Sequence, residues 1–237
     1  MEYSQFEQMV NQREAALEQS FPALMKKVYV WMTLALVITG MASWLVANSP
    51  ALLAAIFTNR ILFFGMIIAE FGLVIWLTAG IRKMSLTTAT LLFILYSVVN
   101  GVTMASIFVV YTMESIATTF FITAGTFGAM SLVGYKTSKD LSGLGRYLIM
   151  ALIGLIIATI VNIFVGSSMM AMIISYAGVL IFVGLTAYDT QKIKEMFMYA
   201  DEYDPDVQKY AVLGSLTLYL DFINLFLYLL RIFGRRD

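Results

Sequence analysis

The chain has 237 residues, of which 60% are hydrophobic and only 13% are charged, and its formal net charge is zero. A soluble domain cannot cover so much apolar surface, because polar and charged groups must make up much of the surface that meets water. The balanced charge and the lack of a basic patch argue against a nucleic-acid partner. Cysteine and histidine are both absent, which excludes disulfides, thiolate metal sites and an imidazole pH sensor.

Residues 1–27 are polar, with acids and bases spread along them. This pattern differs from a cleavable signal peptide, which has a basic start followed by an apolar stretch. We predict that residues 1–27 form a cytoplasmic, amphipathic N-terminal lead. Residues 28–237 are predicted to form a single seven-helix transmembrane domain that is inserted by its own spans.

Seven apolar segments follow in chain order, each close to the length of about 20 residues that carries a helix across a bilayer. They cover residues 28–48, 61–81, 86–110, 117–135, 147–165, 169–191 and 211–231. The predicted fold class is therefore all-α, a polytopic membrane protein with seven transmembrane helices. The last segment contains Asp221, Asn224 and several hydroxyl groups. It could cross fully, or enter and leave on one side.

Lysine and arginine are distributed unevenly between alternate loops. The N-terminal lead and the second, fourth and sixth loops hold three, two, three and three of them, whereas the first, third and fifth hold one, none and none. By the positive-inside rule this places the N-terminus in the cytoplasm. If all seven segments cross, three arginines would then lie outside and break this rule: Arg231, Arg235 and Arg236. A re-entrant last segment would keep them in the cytoplasm and remove the exception.

Three acids fall within the predicted spans: Glu70 in the second, Asp189 near the end of the sixth and Asp221 in the seventh. A carboxylate at the bilayer centre costs on the order of 2.5–3.5 kcal/mol on insertion scales, so such a residue is paired, faces water or stays protonated. The Asp189 side chain could instead reach the membrane–water interface, because polar and basic residues follow it directly. Asp221 lies deep, since ten residues of helix, about 15 Å, separate it from the start of its segment.

The predicted topology places Asp189, Asp221 and Arg82 toward the cytoplasmic face. If the two aspartates meet in a poorly solvated place, both cannot ionise cheaply, so they would share a proton. The shared proton would hold the sixth and seventh helices together at low pH, and repulsion or a bound cation would separate them at higher pH. Arg82 could pair with one acid in a latched state.

Calcium is the natural cation to consider, because it takes six to eight oxygen ligands. Asp189 and Asp221 supply at most four, so a weak and reversible site would need Glu70, Asn224, backbone carbonyls or water. A monovalent cation or a proton alone fits the same residues. No tightly bound cofactor is expected, and the acidic stretch 201–206 lacks the spacing of an EF-hand loop and is predicted to be solvated.

No enzyme motif is present, and the chain is predicted not to be an enzyme. An intramembrane aspartyl protease would also use two aspartates on neighbouring helices. Its signatures are only half met, by Tyr188-Asp189, since no glycine precedes Asp221.

Two segments closely resemble the signatures of the Bax inhibitor-1 (transmembrane Bax-inhibitor-motif) family. They are Gly-Leu-Thr-Ala-Tyr-Asp-Thr-Gln at 184–191 and Leu-Thr-Leu-Tyr-Leu-Asp-Phe-Ile-Asn-Leu-Phe at 216–226. The likeness extends over nearly all the spans and is nearest to bacterial inner-membrane members of the YbhL type. It implies seven helices with the polar seventh at the centre of the other six, in a bacterial inner membrane.

Some members of that family act as pH-sensitive calcium leak channels, and the resemblance implies that Asp189 and Asp221 are the gating pair. Glu70 resembles an acid of the second helix in some relatives, and Arg82 is the candidate for the family's latching arginine. The leading hypothesis is thus a passive, proton-gated calcium pathway that affects ion homeostasis. The alternatives are a non-conducting regulator that binds a membrane protease or stress-response partner, and a proton-coupled cation exchanger. The expected partners are the lipid bilayer and calcium or protons.

Overall fold

The computed structural model describes residues 2–198, 200 and 204–235, and for residues 2–20 it describes the helical backbone alone. The secondary structure of these residues is entirely helical. The helices are α1 (Glu2–Ala47), α2 (Pro50–Phe57), α3 (Arg60–Gly80), α4 (Leu86–Met104), α5 (Ile107–Val110), α6 (Met113–Lys136), α7 (Ser142–Val165), α8 (Ser168–Phe197) and α9 (Pro205–Phe233), with a 3-10 turn at Ile81–Lys83.

Seven helical segments of the described chain are long and apolar enough to cross a membrane, which confirms the predicted fold class. They are Phe21–Ala47, Arg60–Lys83, Leu86–Val110, Met113–Lys136, Ser142–Val165, Ser168–Phe197 and Pro205–Phe233. Each overlaps one predicted segment. Several extend further at their ends, because polar residues continue the helix past the apolar stretch.

The helix α9 lies at the centre of the bundle. Its membrane segment is 67% buried, whereas the segments of α3 and α7 are each only 6% buried. It packs against α1, α4, α6 and α8. The central position implied by the resemblance is therefore confirmed, and the sparsely buried helices present their apolar side chains outward, as a lipid-facing shell does.

The two ends of α9 lie at opposite ends of the bundle. Near its beginning, Tyr210 lines a cavity together with Arg82 of the turn after α3. At its end, the Arg235 backbone N–H donates to Ser115 Oγ at 3.0 Å, and the Arg235 carbonyl accepts from the Thr112 N–H at 3.2 Å. Because Arg82 and Thr112 stand on opposite sides of the third span, α9 crosses fully. We call these the Arg82 end and the Thr112 end.

The helix α1 runs without a break through the boundary between the N-terminal lead and the first span. The lead is thus continuous with the bundle, although the side chains of residues 1–20, including its acids and Arg13, lie outside the described part. Residues 201–203 of the acidic stretch lie outside it as well. Asp204 caps α9, since its Oδ1 accepts from the Asp206 N–H at 2.8 Å.

Two local features are not predicted by hydropathy. The first loop contains the short helix α2, which begins with Pro50 and is capped by Ser49, whose hydroxyl accepts from the Leu52 N–H. Serine before proline is a helix-start pattern, so the signal was present in the sequence. The third span is also divided into α4 and α5 at Ala105 and Ser106.

The helices α1 and α4 pack closely through small and hydroxyl side chains. Ser43 donates to the Gly101 carbonyl at 2.6 Å, and Thr39 donates to the Ser97 carbonyl at 2.9 Å. A methyl group at Gly101 would lie 2.6 Å from the Thr39 carbonyl oxygen. The glycine is therefore what lets the two backbones approach.

Replacing Gly101 by alanine tests this approach. We expect overpacking to lower the free energy of unfolding by about 1–3 kcal/mol, seen as a lower midpoint of thermal unfolding in detergent. Gly72→Ala in α3 is the matched control, because its added Cβ meets no atom within 4 Å, and its midpoint should be unchanged or slightly raised. Equal midpoints for the two variants would contradict the close α1–α4 contact.

Candidate functional site

The first signature segment lies where α6, α7 and α8 come closest. Gly134 of α6 meets the backbone of Ala187, and Gly145 of α7 meets the ring of Tyr188. In both places an added Cβ would overlap the neighbouring atoms. Glycine at these two positions therefore allows the close packing that fixes the orientation of α8 at Asp189.

The loop between α6 and α7 is tied to the same segment by Gln191. This buried side chain donates from Nε2 to the Lys139 carbonyl at 2.9 Å and accepts at Oε1 from the Leu141 N–H at 2.8 Å. Within the loop, the Asp140 carboxylate accepts from the Ser142 N–H at 2.8 Å, which lowers the pKa of Asp140. The signature glutamine is thus a positioning residue two places after Asp189.

Asp189 and Asp221 face each other where α8 packs against α9. Their carboxyl groups are close enough for their charges to interact, and a hydrogen bond between them is within reach. Two carboxyl groups can form such a bond only when one of them carries a proton. Asp221 is 4% exposed and Asp189 is half-buried. The structure brings these two predicted site residues together.

One atom of this pair has no partner. Asp221 Oδ2 is the single buried side-chain oxygen or nitrogen, among the residues that the structure describes, with no hydrogen bond. A buried carboxyl oxygen without a donor is costly and in native proteins marks a functional group, a bound water or an ion. The position is therefore suited to accept a proton, a water molecule or a cation.

A cavity of about 80 Å³ between α8 and α9 leads toward the pair from the Arg82 end. It is lined by Asp189, Lys192, Ile193, Met196, Tyr210, Leu213, Gly214 and Thr217. Asp189 and Thr217 are its innermost residues along the two helices. Asp221 follows Thr217 by one helical turn and does not line the cavity. The aspartate pair therefore lies at the inner end of this cavity.

Arg82 does not contact the aspartates. It is exposed at the Arg82 end and lines a second cavity of about 200 Å³ with Asp206, Lys209 and Tyr210. The ion pair recorded in the described part joins Lys209 to Asp206 at 2.7 Å. Tyr210 lines both cavities, so Arg82 stands beside the mouth of the one that reaches Asp189. Its role as a latch stays a prediction.

Glu70 belongs to a different site, on the opposite face of α9. Its Oε1 accepts from Thr103 Oγ1 at 2.5 Å and its Oε2 accepts from Asn100 Nδ2 at 3.3 Å. Tyr219 donates to Asn100 Oδ1 at 2.9 Å and lies 2.6 Å from Thr39 Oγ1. We call Glu70, Asn100, Thr103, Tyr219 and Thr39 the Tyr219 network. Two residues along a helix turn its direction by about 200°, so Tyr219 and Asp221 point to opposite sides.

The sequence analysis did not select Tyr219, Asn100 or Thr39. Tyr219 stands inside the second signature segment, and Asn100 is a polar residue near the middle of a span, which is the signal that could have identified them. Asn224, predicted for the cation path, donates to the carbonyl of Leu220 in its own helix at 2.8 Å. Neither Glu70 nor Asn224 lines the cavity at Asp189.

A metal site at the pair would be sparse in protein ligands. The described chain holds no group of three or more acidic, histidine or cysteine side chains that could bind a metal ion. A calcium ion between Asp189 and Asp221 would thus take its remaining ligands from backbone carbonyls and water. The prediction of weak calcium binding stays a prediction.

Known proteins resemble the chain over most of its length. The family described as "Inhibitor of apoptosis-promoting Bax1" matches residues 22–237. The inner membrane protein YbhL of Escherichia coli is 54% identical over 213 residues, 90% of this chain and 91% of that protein. An uncharacterized protein of Borreliella burgdorferi is 48% identical over 89% of this chain and 90% of its own length. The uncharacterized protein RP147 of Rickettsia prowazekii is 42% identical over 94% of each.

The variant Tyr219→Phe tests the Tyr219 network. It leaves the buried Asn100 Oδ1 without its donor, so we expect the free energy of unfolding to fall by about 1–3 kcal/mol, measured by thermal unfolding in detergent. Tyr147→Phe is the control, because Tyr147 is 71% exposed. An unchanged midpoint for Tyr219→Phe would mean that the network adds nothing to stability.

Proposed function

This chain belongs to the Bax inhibitor family of membrane proteins, and on that premise we propose that it is a pH-sensitive leak pathway for calcium, gated by Asp189 and Asp221. It is an integral membrane protein with seven apolar helices. We further propose that it lies in a bacterial inner membrane, as the name of the similar YbhL indicates for that protein, with its N-terminus in the cytoplasm.

The observation that carries this proposal is the proximity of the two carboxyl groups, of which Asp189 lines the inner end of the cavity. When one carboxyl group is protonated, it can donate to the other and hold α8 against α9. When both are ionised, the same proximity becomes repulsive. Two unit charges about 4 Å apart repel by about 4 kcal/mol at an effective dielectric constant of about 20. That energy changes a two-state equilibrium by roughly a thousandfold.

The route of the ion follows from the position of the cavity. Calcium enters from the Arg82 end, between α8 and α9, and reaches Asp189 beside Thr217. Beyond the pair, α9 presents the buried apolar residues Phe222 and Leu225. Conduction therefore requires α8 and α9 to separate at the pair, because the cavity ends at Asp189 and Thr217 and does not reach Asp221.

The direction of the pH effect follows from the shared proton. Lowering the pH favours the protonated pair and closure, whereas raising the pH ionises both groups and favours separation. A divalent cation that enters between two carboxylates offsets their repulsion and stabilises the open arrangement. Flux should accordingly rise with pH.

Calcium flux into proteoliposomes tests the gate. Purified wild-type protein should admit calcium at a rate that rises as pH is raised from about 6 to about 8, by roughly tenfold if the closed–open equilibrium changes by about 1.4 kcal/mol. The double variant Asp189→Asn, Asp221→Asn keeps the shape of the pair and cannot ionise, so its flux should stay low and independent of pH. Glu195→Gln, an exposed acid in the same helix, is the matched control and should behave as the wild type.

Other outcomes of the same assay lead to other functions. Equal flux in the wild type and the double variant would overturn the gate. Absence of flux from folded wild-type protein, with a membrane protease recovered in stoichiometric amount on gentle affinity capture, would favour the non-conducting regulator. Flux that requires an opposing proton gradient would favour a proton-coupled exchanger.

A further inference from the structure

A polar groove opens at the Thr112 end, on the side of the bundle away from the Tyr219 network. It lies between the end of α7, the beginning of α8 and the end of α9, and its volume is about 450 Å³. Its polar lining includes the side chains of Asn162, Ser168, Tyr176 and Arg231. We call it the Arg231 groove. It is separate from the aspartate cavity, which opens at the Arg82 end.

The direction of Arg231 is fixed by the residue one turn before it. The guanidinium carbon lies 6.0 Å from the ring centroid of Tyr228. That ring stacks on Phe182 at 5.9 Å, and it occupies the space that a side chain at Gly178 would fill, since an added Cβ would lie 2.7 Å from it. Arg231 is exposed, and its guanidinium stands beside this packed ring.

The groove offers a cation and several hydrogen-bond donors, and no carboxylate is among its described lining residues. In the described part of the chain, no carboxylate forms an ion pair with Arg231, and no acid lines the groove. Asn162 Oδ1 already accepts from the Ser167 N–H at 3.1 Å, which leaves Nδ2 as a donor. Within the same described residues, the Ser168 and Tyr176 hydroxyls have no recorded partner. One cation and three neutral donors around a cavity are suited to bind a phosphate group.

The surroundings of the groove identify the kind of phosphate. Met169, Met172 and Ile173 lie in the first two turns of α8 and are 74%, 60% and 58% exposed. In a membrane protein such side chains contact acyl chains. A ligand with an anionic head and an apolar tail therefore matches both parts of this region, whereas a free phosphate matches only the polar part.

The charge distribution along the chain points the same way. The loops on this side of the bundle, the first, third and fifth, hold a single basic residue, yet Arg231 and Arg235 both lie at this end. By the positive-inside rule, the side of the membrane whose loops hold few lysines and arginines is normally poor in positive charge, so these arginines are an exception to the rule. An anionic headgroup at Arg231 would neutralise part of that charge.

We propose that the Arg231 groove binds the phosphate group of an anionic phospholipid of the leaflet at the Thr112 end. Arg231 pairs with the phosphate, and Ser168, Tyr176 and Asn162 donate to its oxygens or to the glycerol of the headgroup. This lipid joins the ends of α7, α8 and α9. The proposal does not depend on ion conduction.

Native mass spectrometry of the full-length protein in detergent tests the site, with phosphatidylglycerol and phosphatidylcholine added in equal amounts. The wild type should retain phosphatidylglycerol in preference, and Arg231→Gln should lower that adduct at least fivefold. Arg235→Gln is the matched control, because it removes the same charge at the same end from a residue that does not line the groove. It should retain the lipid as the wild type does.

A second variant tests the site in case Arg231→Gln does not fold. Ser168→Ala combined with Tyr176→Phe leaves the charge and the Tyr228 packing unchanged, and it should lower the phosphatidylglycerol adduct while phosphatidylcholine stays constant. An equal loss of the phosphatidylglycerol adduct in both arginine variants would show that only net charge matters and would overturn the site. Retention of that adduct in every variant would overturn it as well. Inorganic phosphate that displaces the lipid at low millimolar concentration would identify a soluble phosphate as the ligand and overturn the lipid assignment.

Discussion

The enclosure of a polar helix by apolar ones determines the arrangement of this bundle. The helix α9 carries Asp221, Tyr219 and several hydroxyl groups, and lipid offers no partner for any of them. It is therefore surrounded by α1, α4, α6 and α8, so that its polar groups meet protein on every side. The helices α3 and α7, which are almost entirely apolar, take the outer positions with most of their surface toward lipid.

The two faces of α9 differ in how completely their polar groups are bonded. Toward α1 and α4, Tyr219 donates to Asn100 and its hydroxyl oxygen lies 2.6 Å from that of Thr39. Toward α8, Asp221 keeps a buried oxygen without a partner. The α8 side is in turn tied to α6 and α7 by the two glycine contacts and Gln191. The aspartates thus lie between two groups of helices, each of which is tied together by hydrogen bonds or close glycine contacts.

Hydropathy and charge predicted the seven spans, because these depend on how a residue partitions between lipid and water. The depth of Asp221 followed from counting residues along a helix. Contacts between particular side chains did not follow, because partitioning between lipid and water does not specify which residue a side chain will meet. Such contacts depend on how each helix is rotated about its axis. Examples are the Tyr219 network, the Gln191 hydrogen bonds and the position of Arg82 away from the aspartate pair. The pairing of Asp189 with Asp221 was permitted by topology and implied by the family resemblance.

The central position of α9 has a consequence for biosynthesis. The segment Pro205–Phe233 leaves the ribosome after the six other spans, and it carries Asp221 in its interior. The six surrounding spans are thus made before the helix that they enclose. Because a carboxyl group makes a helix costly to place in lipid alone, the insertion of α9 gains from the six helices already present, which couples its insertion to its packing.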